Sequence, residues 1–116
     1  MATEIYYRGS DVPKIIAPLD KLGVAIDIDN LDELYVDVIG NNNKVFAKFS
    51  KAGTGDYTAL IRQTAYTYKL WIDSSITSIM PIGNVYFKIE LVSEQLELPD
   101  GELNAIAKKL IFELRR

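Results

Sequence analysis

The residues of this chain best suited to chemistry are the carboxylates of one acidic stretch, Asp27, Asp29, Asp32 and Glu33. Clustered carboxylate oxygens are the ligands that hard cations such as Ca²⁺ prefer. The calcium-loop pattern requires an oxygen ligand at every second position and then a glycine, but Leu31 occupies the third ligand position and no glycine follows. Aspartate side chains also accept local backbone hydrogen bonds and begin turns or one-turn helices. The stretch therefore predicts a turn and no metal site.

The remaining polar residues do not suggest a catalytic centre. The chain has no cysteine and no histidine, which excludes thiol nucleophiles, imidazole bases, disulfides and Cys/His zinc sites. Gly53-Thr-Gly55 could cradle a phosphate only if a helix followed, and residues 57–61 have the composition of a strand. A hydrolase would depend on paired carboxylates or on a Ser–Lys pair. We therefore expect a protein that is not an enzyme and has no cofactor.

The length and composition fit one globular domain over residues 1–116. With 48% hydrophobic and 25% charged residues, the chain can form its own core. A net charge of −3 argues against nonspecific binding to nucleic acid, which requires a basic surface. The first residues lack the basic start and apolar run of a signal peptide, and no apolar run approaches the ~20 residues of a membrane span. We expect no nucleic-acid partner, no membrane and no signal peptide.

Two alternating runs, 66–73 and 84–92, predict two strands of a β-sandwich, because successive side chains of a strand point to opposite faces. The clearest hairpin joins 34–39 to 44–50 through Gly40-Asn-Asn-Asn43, since Gly and Asn tolerate the positive φ of tight turns. The residues predicted to share the apolar faces are Tyr66, Tyr68, Leu70 and Ile72; Val85, Phe87, Ile89 and Leu91; and, in the hairpin, Leu34, Val36, Val38, Val45, Ala47 and Phe49.

Several connecting segments have predictable roles. Pro13 lacks a backbone donor, which predicts that the strand beside it lies at a sheet edge. Residues 74–83 end in Pro81 and Gly83 and predict a crossing loop, with at most one helical turn, that closes one end of the sandwich. Residues 20–23 and 99–101 predict turns. The chain then has seven to eight short strands, a number typical of a sandwich or small barrel.

The C-terminal segment is ambiguous. Over residues 102–116, apolar residues fall at spacings of three and four, which favours an amphipathic helix. As a strand, Leu110, Phe112 and Leu114 alternate with Lys109, Ile111 and Glu113. Periodicity alone favours the helix slightly, and both alternatives stay open at this level.

Three aromatic residues fall on the wetter sides of their strands: Tyr35, Trp71 and Tyr86. Large aromatics with a polar group are enriched at protein interfaces, although tyrosine also simply suits strands. These residues predict a protein-binding surface. The alternative is a carbohydrate- or peptide-binding sandwich, in which the same aromatics are stacking platforms clustered on one concave face.

The order of turn and strand signals resembles the immunoglobulin-like domain at the N-terminus of phage baseplate upper proteins. It is similar also to small virion proteins of phages and prophages in gut Bacteroides-type bacteria. The segments that carry this resemblance are Tyr7-Arg-Gly-Ser-Asp11, Asp20-Lys-Leu-Gly23, Leu34–Ile39, Lys48-Phe-Ser-Lys51, Val85–Leu91 and Pro99-Asp-Gly101.

The resemblance implies an immunoglobulin-like β-sandwich of antiparallel strands, in which residues 105–114 form the closing strand rather than a helix. It implies a non-enzymatic structural module of a phage tail or baseplate, made in the bacterial cytoplasm and located in the virion. Its partners would be other virion proteins or further copies of itself, as a homo-oligomer. The family offers no catalytic residue to carry over.

Overall fold

The computed structural model describes residues 4–18, 23–92 and 104–116, of which Asn30 and residues 104–108 are described by their backbone alone. These residues form nine strands, one short α-helix and one 3-10 turn. In chain order the elements are β1 (Glu4–Tyr7), β2 (Val12–Ile16), the 3-10 turn (Ile28–Asn30), β3 (Glu33–Ile39), β4 (Val45–Ser50), β5 (Thr58–Ala59), β6 (Ile61–Thr64), β7 (Thr67–Ile72), α1 (Ser74–Thr77), β8 (Gly83–Val92) and β9 (Asn104–Arg115).

The strands form a β-sandwich, as the alternation predicted. One sheet has six strands in the order β1-β9-β8-β3-β4-β5, and the other has three in the order β2-β7-β6. The two central runs of the sequence lie in different sheets, because β7 is the middle strand of the small sheet and β8 an inner strand of the large one. The strand beside Pro13, β2, lies at an edge as predicted.

Two strand pairs are parallel, contrary to the expectation of an entirely antiparallel sandwich. β1 pairs in parallel with β9, and β5 pairs in parallel with β4. Neither pair is joined by a tight turn, which would force the antiparallel direction. β1 comes from the opposite end of the chain to β9, and a seven-residue loop, 51–57, separates β4 from β5.

The core lies between the sheets and contains most of the residues that alternation placed inward. Met80 is fully buried, and so is Thr77 at the end of α1, so the segment that crosses between the sheets contributes to the core. Ala47 and Ile89 are partly buried against it. The predicted inward residues that are buried are Leu34, Val36, Val38, Phe49, Tyr68, Leu70, Ile72, Val85, Phe87 and Leu91.

Two predicted inward residues, Val45 and Tyr66, instead face solvent. The register between β3 and β4 shifts after Val38, so that Val45 pairs with Ile39 and is 44% exposed. One added residue in a strand exchanges its two faces beyond that point, which simple alternation cannot anticipate. Tyr66 is exposed because it lies in the turn before β7 rather than in the strand.

The C-terminal segment is a strand, β9, which confirms the closing strand expected over residues 105–114, and the helix that periodicity alone favoured is wrong. β9 pairs with β8 from Gly83↔Leu114 to Val92↔Asn104, and β1 pairs with its other side. Neighbours on both sides satisfy backbone donors and acceptors that a strand exposes, and Phe112 and Leu114 are fully buried. A second register shift, between Val85 and Tyr86, turns Leu110 outward to 45% exposure.

The acidic stretch forms a turn, as predicted. The side chain of Asp27 accepts a hydrogen bond from the Asp29 backbone N–H at 3.0 Å and caps the 3-10 turn. The Asp29 carboxylate accepts a hydrogen bond from Arg62 on β6, which lowers the pKa of Asp29. Residues 20–22 of one predicted turn, and all of the turn predicted at 99–101, lie outside the described residues.

Candidate functional site

The outer face of the three-stranded sheet carries several exposed apolar side chains around one lysine. Ile15 of β2 and Ile61 of β6 both lie directly opposite Lys69 of β7, on either side of it. Trp71 follows on the same face and lies opposite Pro13. Directly opposite residues have Cβ atoms about 4.5–5.5 Å apart. These five residues therefore form one surface, which we call the tryptophan face.

Exposure and charge distinguish the tryptophan face from an ordinary solvated sheet. Ile15 is 56% exposed, Ile61 53% and Trp71 45%. The Nζ atom of Lys69 lies 4.5 Å from the centroid of the Trp71 ring, a cation–π contact worth ~0.5–1 kcal/mol at an exposed site. Lys69 is the one charged residue of this face. The surface thus offers apolar contact area around a single positive charge.

The outer face of the six-stranded sheet is more polar, and we call it the tyrosine face. Its residues form three rows that run across the strands at matching register positions. Each row is given in the strand order β4, β3, β8. The first row is Val45, Ile39 and Tyr86, and it continues to Leu110 on β9. The middle row is Lys48, Asp37 and Lys88, and the third is Ser50, Tyr35 and Glu90.

The middle row contains a carboxylate between two lysines. Asp37 lies opposite Lys48 on one side and opposite Lys88 on the other. The Oδ1 atom of Asp37 is shielded from solvent and accepts no hydrogen bond from the described residues. Such an acceptor costs about 1–3 kcal/mol when no donor reaches it. Lys48 instead lies over the ring of Tyr57, with its Nζ 5.6 Å from the centroid, and Lys88 is exposed.

An aromatic pair stands beside this row. The rings of Tyr35 and Tyr57 have centroids 5.1 Å apart and are tilted by 55°. Partial burial, and then the negative charge of Glu33, raises the pKa of the Tyr35 hydroxyl above its usual value. This hydroxyl is therefore neutral at physiological pH and can donate a hydrogen bond as well as accept one.

The three residues predicted for an interface lie on two opposite surfaces. Tyr35 and Tyr86 are half-buried on the tyrosine face, whereas Trp71 lies on the tryptophan face across the core. They do not form the single aromatic cluster that the glycan-binding alternative requires. Sequence reasoning missed Ile15 and Ile61, because their partnership with Trp71 depends on strands that pair across the small sheet rather than on neighbours in the chain.

The described residues contain no group of three or more Asp, Glu, His or Cys side chains placed to hold a metal ion. A groove of about 360 Å³ along β4 has one carboxylate, Asp56, and one ammonium group, Lys48, among the side chains that line it. No helix within the described part of the chain is long and apolar enough to cross a membrane.

Comparison of the chain with protein-family models, with curated proteins and with solved structures gave no match in any of the three.

Proposed function

We propose that this protein is a non-enzymatic attachment module of a phage or prophage particle, in which it binds another tail or baseplate protein. The observation that carries the proposal is the tryptophan face, where Ile15, Ile61 and Trp71 are exposed around Lys69. Contiguous exposed apolar side chains mark interaction sites in soluble proteins. Tryptophan is also among the residues that contribute most at protein interfaces. The phage context comes from the resemblance of the turn and strand signals.

The size and charge of the tryptophan face indicate what kind of partner fits it. Three strands about 4.8 Å apart and about five residues long cover roughly 14 by 17 Å. This area suits one helix or strand of a partner rather than a broad domain surface. Because Lys69 is the one charge of the face, a carboxylate flanked by apolar residues complements it.

The strand order supports an immunoglobulin-like assignment of the sandwich. Variable-type immunoglobulin domains have nine strands, with two extra strands added at the edge of the sheet that contains strands G, F and C. Assigned in chain order, β9, β8, β3, β4 and β5 take the positions of G, F, C, C′ and C″, and β2, β7 and β6 those of B, E and D. The chain lacks the cysteines and the strand-C tryptophan of antibody domains.

The non-enzymatic part of the proposal rests on the same resemblance and on residue types. The sequence contains neither histidine nor cysteine. Within its acidic stretch, Asp27 caps the 3-10 turn, Asp29 pairs with Arg62, and Glu33 accepts hydrogen bonds from the backbone N–H groups of Leu34 and Ala52.

The proposal is tested by comparing two exposed isoleucines in particles assembled with variant protein. Ile15→Asp places a charge on the tryptophan face, whereas Ile79→Asp places one on the loop after α1, where Ile79 is 68% exposed. Both variants should give the same circular dichroism spectrum as the parent. We expect purified particles to contain the parent and the Ile79→Asp variant but to lose the Ile15→Asp variant at least about tenfold. Absence of the parent from particles, or equal incorporation of both variants, would overturn the proposal.

A glycan array distinguishes the alternative function. Binding of a glycan by the parent protein that is lost in Trp71→Ala or Tyr86→Ala would favour a carbohydrate-binding module over an attachment module. We expect no glycan binding, because the Lys69 ammonium group already lies over the Trp71 ring, where a sugar would have to stack.

A further inference from the structure

We infer that a second copy of this chain packs on the tyrosine face, around a two-fold axis that lies in the plane of the interface, parallel to the strands and midway between β3 and β8. This inference specifies the self-association expected from the sequence. It concerns a different surface from the proposed attachment through the tryptophan face, so each can fail without the other.

The strand order places this axis at the centre of the large sheet. β8 and β3 are the third and fourth of its six strands, so an axis between them leaves three strands on each side. The rotation brings β3 of one copy over β8 of the other, and β4 over β9. Each β3 residue then lies over its own register partner on β8 of the second copy, for example Ile39 over Tyr86.

The charges of the middle row become complementary under this rotation. Asp37 of each copy lies over Lys88 of the other, because these two residues are register partners on β3 and β8. Within one copy, no ion pair joins Asp37 and Lys88 among the described residues. Opposite charges that face one another across an interface fix its register. The two-fold axis supplies this contact twice.

The two bulges place apolar side chains where the same rotation brings them together. Both register shifts flank the row that contains Ile39 and Tyr86, one on β4 and one on β9. They turn Val45 and Leu110 outward, to 44% and 45% exposure. Because the rotation places β4 over β9, Val45 of one copy lies over Leu110 of the other, again twice.

The area that each face could bury favours the tyrosine face as the one that binds a second copy. Under this rotation β3 overlaps β8 by 7 residues, β4 overlaps β9 by 6 and β5 overlaps β1 by 2, each twice, so strands about 4.8 Å apart cover roughly 1,000 Å² for two copies. This approaches the ~1,200 Å² at which specific interfaces begin. Two tryptophan faces would bury only about 480 Å², which is typical of crystal contacts. They would also bring together two Lys69 ammonium groups.

Charge reversal tests the inference with two variants, each of which should disrupt its own homodimer but form a dimer with the other variant. Asp37→Lys leaves two positive charges at the contact positions of one chain, and Lys88→Asp leaves two negative ones. Like charges then meet twice in each homodimer, so sedimentation velocity should show dissociation constants roughly tenfold to a hundredfold weaker than the parent's. An equimolar mixture pairs opposite charges twice and should restore the dimer. A parent that stays monomeric at its highest soluble concentration, or a mixture that does not reassociate, would overturn the inference.

Crosslinking gives a readout that does not depend on charge. Because the chain has no cysteine, Val45→Cys and Leu110→Cys can be purified separately and mixed with a short bismaleimide. We expect the crosslinked dimer to form from the mixture and not from either variant alone. Ile15→Cys, on the opposite face, is the matched control and should give no crosslink with either partner. Equal crosslinking of all combinations would contradict the assigned axis.

Discussion

The position of Phe112 and Leu110 on β9 gives the most discriminating test of the fold. The two residues are two positions apart, so a regular strand would place them on the same face. The bulge instead leaves Phe112 fully buried and Leu110 45% exposed. We therefore expect Phe112→Ala to destabilise the protein severely and Leu110→Ala to have a small effect.

The magnitudes follow from burial. The Phe112 ring meets the Tyr6 ring edge-on, with centroids 5.3 Å apart and planes at 77°, and its removal leaves a cavity between β1, β8 and the core. Phe→Ala at buried sites costs about 3–5 kcal/mol, which is a large part of the ~5–15 kcal/mol that holds a domain folded. Leu110→Ala removes a side chain that is only about half buried and leaves no cavity. We therefore expect it to lower the free energy of unfolding by about 1 kcal/mol.

Urea denaturation followed by far-ultraviolet circular dichroism measures both effects, at protein concentrations low enough to keep the chain monomeric. At this chain length about 3 kcal/mol corresponds to roughly 15 °C in Tm, so thermal melting gives an independent check. Equal losses for the two variants would show that β9 has no bulge at this position. A larger loss for Leu110→Ala than for Phe112→Ala would support the amphipathic helix and refute the strand.

Three further predictions concern single contacts. Thr77→Val keeps the shape of a buried side chain but removes its hydrogen bonds to the β1–β2 turn, and should lower the free energy of unfolding by about 1–3 kcal/mol in urea titrations. Gly53→Ala should destabilise well beyond Gly55→Ala: both glycines have positive φ, but only at Gly53 would the new Cβ meet another residue, 2.6 Å from the Ala59 side chain; equal midpoints for the two would contradict this. The hydrogen bond from Lys14 lowers the pKa of Glu4. Its stabilisation is therefore complete above the ordinary glutamate pKa of ~4.3 and is lost as pH falls through the lowered value, so the stability gap between the parent and Glu4→Gln should close only in acid.

Much of the fold could be predicted because its core strands are amphipathic at the period of a strand. Tyr68, Leu70 and Ile72 are buried as their alternation indicated. Sheet membership could not be predicted in the same way, because it depends on which strands pair across long sequence separations. For that reason Trp71 and Tyr86 shared one predicted surface and lie on opposite faces of the sandwich.

Non-local pairing also explains why periodicity alone favoured a helix at the C-terminus. Helical spacing in residues 102–116 is a local property, whereas β9 is held by β8 along nearly its whole length and by β1 at residues 112–115. Backbone pairing on two sides together with the burial of Phe112 outweighs a propensity difference of a few tenths of a kcal/mol per residue.

The two bulges turn Val45 and Leu110 toward solvent, and they also bear on the inferred dimer. Each bulge costs some ladder regularity, and each places a large apolar residue in water rather than in the core. The extra residues of the two bulges, Phe46 and Ile111, pack against the core of the same copy, whereas exposure of Val45 and Leu110 forgoes part of the ~1.5–3 kcal/mol that burial of such a side chain is worth. Because the bulges lie on β4 and β9, on the two sides of the β3–β8 axis, one rotation covers both residues. If Val45→Ser and Leu110→Ser each weaken the dimer while leaving the monomer's urea midpoint nearly unchanged, the bulges serve the interface; if they change only the midpoint, they serve the fold.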